Sequence, residues 1–161
     1  MSFQMRKGLL AAFVFLVVCS FALYAWFAPE RTARRSFDSL LLAVSKKNWE
    51  RVTKKIAPEY SDAWHDTREE AVAAASELSR HFFVLHLTAR EAKWSFSSDR
   101  NARVEAFLHM EGSGTAIAQT IMDHVNTWPM PTTFTFRREG AWPGKWLLER
   151  VEQPSLVLET F

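Results

Sequence analysis

The stretch EYSDAWHD holds Tyr60, Asp62, His65 and Asp66, side chains able to move protons, close together. An imidazole titrates near pH 6.5, and a neighbouring carboxylate orients it, so His65 with an acid beside it is a candidate general base. Tyr60 completes this set. Asp66, directly before Thr67, is more simply an acid at a helix start. A second acid–imidazole pair is Asp123–His124. If that stretch is extended, neighbours alternate faces and only one of the two points inward, so Asp123 is the candidate. His81 and His86 are five residues apart at a helix end, which is not one-face spacing, and His81 suits a helix C-terminus. The H-E-x-x-H metal pattern is missing from the sequence, and no metal site or cofactor is expected. Gly112-Ser113-Gly114 is neither a nucleophile elbow, which wants G-x-S-x-G between strand and helix, nor a phosphate loop. Trp94, Phe136 and Trp146 are the aromatic candidates for a ligand pocket, with Trp142 beside them, although aromatics at strand spacing also build cores. Arg137 and Arg138 could meet an anion, or pair with Glu149 and Glu152 across a hairpin.

These residues need elements to hold them. Phe37, Leu40, Leu41 and Val44 follow Ser36 at i, i+3, i+4 and i+7, one face of a helix. Asn48 is placed to cap a short helix carrying Trp49, Val52 and Ile56, which Pro58 stops. Thr67-Arg68-Glu69-Glu70 is a capping box, and a third helix is expected with Ala71, Ala75, Leu78, Phe82 and Leu85 along one side. After His86 the period changes to two. Ala92, Trp94 and Phe96 share a face; SSDRN is the turn; Val104, Ala106, Leu108 and Met110 share the next face. A third strand is expected from Thr115 to Val125, broken by NTWPMP, whose prolines lack the N–H a ladder needs. A closing hairpin follows, with Glu139 opposite Lys145, Arg138 opposite Trp146 and Phe136 opposite Leu148. Phe134, Phe136 and Arg138 share one face of it, as do Trp146, Leu148 and Arg150, and GAWPG supplies the turn. Helices followed by antiparallel strands make an α+β domain with helices on one face of a curved sheet.

The first thirty residues differ in kind. LLAAFVFLVVCSFALYAWFA, Leu9 to Ala28, carries no charge. At about 1.5 Å per residue it measures about 30 Å, the thickness of a bilayer core. It is longer than the apolar core of a cleaved signal, and Ser20-Phe21-Ala22, a small-x-small site, lies inside it. A retained membrane anchor is therefore expected over residues 1–29, with lipid contact through 9–28 and a domain at 30–161. Arg6 and Lys7 flank one side; Arg31, Arg34 and Arg35 flank the other. A short N-terminal tail favours a cytoplasmic N-terminus and a periplasmic or extracytoplasmic domain. Residues 30–161 hold 18 Lys+Arg against 18 Asp+Glu, which argues against nucleic acid as a partner. Within them residues 30–60 are net +4 and can reach lipid headgroups. Cys19 is the single cysteine, so no disulfide forms within one chain.

Two phrases carry a resemblance. NWERVTKKIAPEYSDAW looks like the opening helices of the NTF2-like superfamily, the cone-shaped domains that include SnoaL-like and ketosteroid isomerase-like proteins. FTFRREGAWPGKWLLERVE looks like their closing hairpin. The resemblance covers about residues 35–153 and leaves a short tail, 154–161. It implies a cystatin-like cone around an open or filled cavity. Enzymatic members place Asp, His or Tyr inside the cone as base or oxyanion donor, which would set Tyr60 and His65 at the mouth. No position here matches the isomerase base or its oxyanion tyrosine. Components of bacterial secretion systems and Mce-associated proteins are similar in pairing one transmembrane helix with such a domain. Sheet-face dimers are common among proteins resembling this one.

The expectation is a membrane-anchored variant: a noncatalytic module for protein interaction or membrane-complex assembly, with a protein partner or a second copy of the chain. The alternative is a small-ligand binder or an isomerase-, cyclase- or dehydratase-like enzyme using the cone.

Overall fold

A computed structural model of the chain describes residues 3–26, 28–140 and 144–155, with side chains at 13–24, 28–140 and 144–155. Among the described residues five helices and four strands follow in the order α1 (Phe3–Trp26), α2 (Pro29–Ser45), α3 (Trp49–Thr53), α4 (Arg68–Ser79), β1 (Phe82–Phe96), β2 (Asn101–Gly114), α5 (Ala116–Asn126), β3 (Thr132–Glu139) and β4 (Lys145–Glu152). The strands form one antiparallel sheet in the order β1-β2-β3-β4. The result is an α+β architecture, with helices laid on a four-stranded antiparallel sheet.

The core lies between α2 and one face of that sheet. Phe37 is its hub, with Phe134 at 5.1 Å, Trp94 at 5.8 Å and Phe136 at 6.0 Å between ring centroids. Leu40 and Leu41 from the same helical face, Val104 and Ala106 from β2, and Trp146 and Leu148 from β4 close around it. The segment after α3 is stitched to β4: Leu148 N–H donates to Lys55 O and Ala57 N–H to Leu148 O, both at 2.8 Å.

Several local expectations hold. Asn48 Oδ1 accepts from Arg51 N–H at 3.0 Å, and Thr67 with Glu70 forms the capping box. The hairpin register is Glu139 to Lys145, Arg138 to Trp146 and Phe136 to Leu148.

Others are corrected. α2 begins at Pro29, whose fixed φ and missing N–H suit the first turn, so Ser36 lies inside the helix rather than before it. α3 ends at Thr53, well before Pro58, because Ile56 already bridges to Leu148. α4 stops at Ser79; Phe82 and Leu85 belong to β1, where pairing with β2 outweighs their helical spacing. The stretch expected as a strand from Thr115 is α5. Thr115 Oγ1 caps it by accepting from Ala118 N–H at 3.4 Å, and Ala118 and Met122, four apart, are its buried side. Arg150 does not share a face with Trp146 and Leu148. Thr135 pairs with Arg150 while Phe136 pairs with Leu148, so Glu149 is an extra residue that reverses the alternation and leaves Arg150 exposed.

A second bulge matters at the sheet's other end. Phe82 pairs with Gly114 and Val84 with Ser113, so Phe83 is the extra residue, turned out to 74% exposure. Gly112 faces this bulge, and a β-carbon there would collide with the carbonyl oxygen of Val84.

The helix α1 covers most of the uncharged run. Among the described residues no single helix is long and apolar enough to cross a membrane. Phe13–Tyr24 taken with Pro29–Ser45, bent by 46°, meets those criteria by length and composition. Trp142 and residues 156–161 of the apolar tail lie outside the described residues.

Candidate functional site

The turn at Ala57 places Tyr60. Ala57 is tied to β4, and Tyr60 N–H donates to Ala57 O at 3.1 Å, which swings the phenol inward. Tyr60 then lines a small cavity between α2, α3, α4 and the sheet, about 160 Å³ in volume, whose other walls include Leu40, Val44, Val72, Leu87 and Phe134. Apart from Tyr60 its lining residues are all apolar.

The phenol is not free. Tyr60 Oη donates to Asp62 Oδ2 at 2.6 Å. Asp62 Oδ1 accepts from the backbone N–H of Trp64 at 2.7 Å and of His65 at 2.6 Å. The His65 ring stands further off, with Nδ1 3.2 and 3.3 Å from the two oxygens. The Asp62 side chain is 4% exposed and the His65 side chain 28%. Asp62, not His65, is thus the centre of the cluster.

The electrostatics follow from that arrangement. Burial first, then the hydrogen bond and charge of Asp62, push the Tyr60 hydroxyl well above its ordinary value of 10. Tyr60 keeps its proton and spends it on Asp62. Burial raises the Asp62 carboxyl, but the bonds from Tyr60, Trp64 and His65 together outweigh it and hold the group below its ordinary range. A carboxylate held ionised in this way is a weak base. The arrangement therefore fixes a turn and the cone wall more readily than it abstracts a proton.

The other candidates are dispersed. Asp123 lies on the exposed side of α5, accepting from Gln119 Nε2 at 2.9 Å, and His124 packs edge-on against Trp128. Both lie on a helix, so the alternation that would send one of them inward does not apply. His86 is exposed on β1; His81 sits in the turn before it, with Nδ1 3.5 Å from Thr115 Oγ1. Among the described residues no three His, Cys, Asp or Glu side chains gather as a metal set.

The aromatic candidates separate as well. Phe136 is fully buried and Trp146 is 3% exposed, its indole N–H donating to Thr32 Oγ1 at 2.9 Å. Both are core. Trp94 alone keeps an open face: it stacks on Phe96 at 5.8 Å, carries the Arg34 guanidinium 5.3 Å from its ring, and lines a groove of about 420 Å³ between α2 and β1.

Arg137 and Arg138 diverge. Arg137 meets Glu59 at 2.9 Å, Glu139 at 3.1 Å and Glu149 at 3.6 Å on the outer face. Arg138 turns into the helix-facing side, its side chain 5% exposed, and its Nη2 donates to Asp99 at 2.7 Å. Among the described residues its Nε and Nη1 have no acceptor. Its place in the alternation with Phe134 and Phe136 is the one trace of this buried cation in the residue pattern.

No protein-family model and no curated protein sequence matches the chain. Solved structures do. A protein provisionally named a dehydratase, from the NTF2-like family of Streptomyces avermitilis, aligns with TM-score 0.55 and 13% identity over 75% of this chain and 91% of its own. A provisionally named ketosteroid isomerase from Shewanella frigidimarina aligns with TM-score 0.55 and 12% identity over 76% of this chain and 94% of its own. Bd1075 of Bdellovibrio bacteriovorus aligns with TM-score 0.56 and 9% identity over 74% of this chain, which spans 38% of that chain's length. At these identities the likeness is one of fold: the domain has the NTF2-like, cystatin-like cone.

Proposed function

We propose that this protein is a membrane-anchored, noncatalytic NTF2-like module that serves protein interaction or the assembly of a membrane complex. The observation that carries this reading is the contrast between α1 and the cone. Along α1 the described apolar side chains are turned outward on every side, from Phe13 at 67% and Leu16 at 64% to Phe21 at 72% exposure. Such a helix has no face for a protein core and every face for lipid. In the cone the polar groups at the wall satisfy one another, which suits a scaffold. The proposed orientation is a cytoplasmic N-terminus with the domain outside the cytoplasm.

Alkaline carbonate washing of membranes containing the full chain tests the anchor. Retention in the pellet is expected; release into the supernatant would remove this reading.

A second reading rests on the 160 Å³ apolar cavity beside Tyr60. It is a small-ligand site, in keeping with neighbours named after a dehydratase and an isomerase. Native mass spectrometry of the gently purified chain distinguishes the two. A molecule retained at fixed stoichiometry, and lost on filling the cavity by Ala75→Phe, would favour the ligand reading.

A further inference from the structure

Cationic residues of α2, of the segment that follows α3 and of β4, distant in sequence, meet in one place. An open groove of about 390 Å³ runs between these elements, lined by Arg35, Ser39, Lys54, Lys55 and Lys145 with Trp146 at its floor. Among the described residues no carboxylate lines it. Arg51 reaches its rim, donating from Nη2 to Ser39 Oγ at 3.2 Å. Glu50 holds Lys54 at 2.5 Å, but among the described residues no ion pair engages Lys55 or Lys145.

The groove is built rather than incidental. Lys55 is fixed through its backbone, its N–H donating to Val52 O at 2.9 Å and its O accepting from Leu148 N–H at 2.8 Å. Burial, and then the charge of Arg51, lower its side-chain pKa. Lys145 is set by its pairing with Glu139. Gly144 beside it has φ +64°, and a β-carbon there would stand 2.7 Å from Arg138 Cγ, so that edge of the groove stays bare. Half-buried Lys55 and exposed Lys145 share this groove with no described carboxylate among its walls, which favours an anion there.

Place narrows the anion. Pro29 starts α2 just after α1 ends at Trp26. Arg35 lies about 9 Å along α2 from that start. With α1 in a bilayer, the groove lies near the headgroup layer.

We propose that this groove binds the phosphate of an anionic lipid headgroup, with Lys55 and Lys145 as its charged ligands. The proposal rests on the anchored reading of α1 for the source of the phosphate.

The test titrates the full chain, held in a neutral detergent, with dioctanoyl phosphatidylglycerol, dioctanoyl phosphatidylcholine or inorganic phosphate, reading bound ligand by native mass spectrometry. One phosphatidylglycerol per chain is expected, with phosphatidylcholine and inorganic phosphate each bound at least about tenfold more weakly. Lys55→Ala with Lys145→Ala lowers phosphatidylglycerol affinity by about tenfold or more, and Lys145→Glu alone does so in a chain whose fixed Lys55 is untouched. Arg103→Ala with Arg150→Ala removes the same charge from the outer face and leaves affinity within about twofold. Equal binding by wild type and both groove variants overturns the site, as does an equal loss in the outer-face control. Inorganic phosphate binding as tightly as the lipid overturns the lipid source. Flotation on pure phosphatidylcholine vesicles reads the anchor separately: groove variants float like wild type, whereas failure of every form to float removes the anchor and leaves the micelle titration to judge the groove.

Discussion

Asp62 and Arg138 are buried to almost the same degree, with side chains 4% and 5% exposed. They are satisfied in opposite ways. Asp62 collects its donors from its own turn: Tyr60 two residues before it, Trp64 and His65 two and three after. Arg138 depends on Asp99, 39 residues away on the β1–β2 turn and 68% exposed, and two of its nitrogens have no acceptor among the described residues. A buried charge with a full set of hydrogen bonds stabilises its surroundings, whereas one half satisfied contributes little or costs something. The first region is a local lock. The second is a tertiary compromise in which the hairpin's alternation forces a cation inward.

The largest effect expected from this contrast is at Asp62. Asp62→Ala leaves the Tyr60 hydroxyl and two backbone N–H groups without an acceptor. It should destabilise the full chain by about 3 kcal/mol in urea unfolding at pH 7. A loss below about 1 kcal/mol would show that water replaces the carboxylate easily.

The same site has a pH signature. The folded Asp62 carboxyl titrates below its ordinary value of 3.8. Its contribution is therefore complete above that value and fades as pH falls through the lower folded one. Tyr60 runs the other way. Its folded value lies above 10, so its contribution is present below pH 10 and is lost as pH rises further. The advantage of wild type over Asp62→Asn should thus narrow on the acid side, and that over Tyr60→Phe on the alkaline side. Constant gaps across both limbs would break the account.

Arg138 should respond in an inverted order. Asp99→Ala strands a buried cation and should cost about 1–2 kcal/mol, reduced from the buried-pair range because Asp99 is mostly exposed. Arg138→Met removes the cation and its orphaned nitrogens together, and should stay within about 1 kcal/mol of wild type. If Arg138→Met proved the worse of the two by chemical unfolding, Arg138 would be a satisfied core group after all.

The smallest change is expected at His65. Its ring stands 3.2 Å from Asp62 and is partly open to water, so His65→Ala should cost about 0.5 kcal/mol or less, since the backbone N–H is the stronger donor and remains. A much larger loss, or the disappearance of an activity, would restore His65 as a functional group.

Residue types alone made several of these features legible. Thr67 and Glu70 announced their capping box, and Asn48 its cap, because both motifs act within four residues. The closing hairpin was readable to the register, since alternating Phe134, Phe136 and Arg138 must meet Trp146 and Leu148. The stretch around Tyr60 and Asp62 was recognisable as unusual, although the emphasis fell on His65 rather than on the carboxylate. The helix at Ala116–Asn126 was missed because Ile117, Ile121 and Val125 fit a short apolar strand almost as well as a helix face, and only the Thr115 cap distinguishes them. The end of α4 at Ser79 had no glycine or proline to mark it. There β1 takes Phe82 because β2 offers it a partner.

Near neighbours and periodicity thus set the uncharged run before Pro29, the α2 core stripe, the caps, the hairpin and the α+β order. Tertiary structure alone decided which polar groups became partners. It closed Tyr60 onto Asp62, buried Phe136 and Trp146 beyond a ligand's reach, and drew Lys55 and Lys145 to one groove. It also set two bulges that reverse the facing of Phe83 and Arg150. Caps and stripes are fixed over one or two turns of chain, where spacing leaves few choices. Burial, charge pairing and strand parity are fixed across the fold, where a single extra residue or a distant turn changes the outcome.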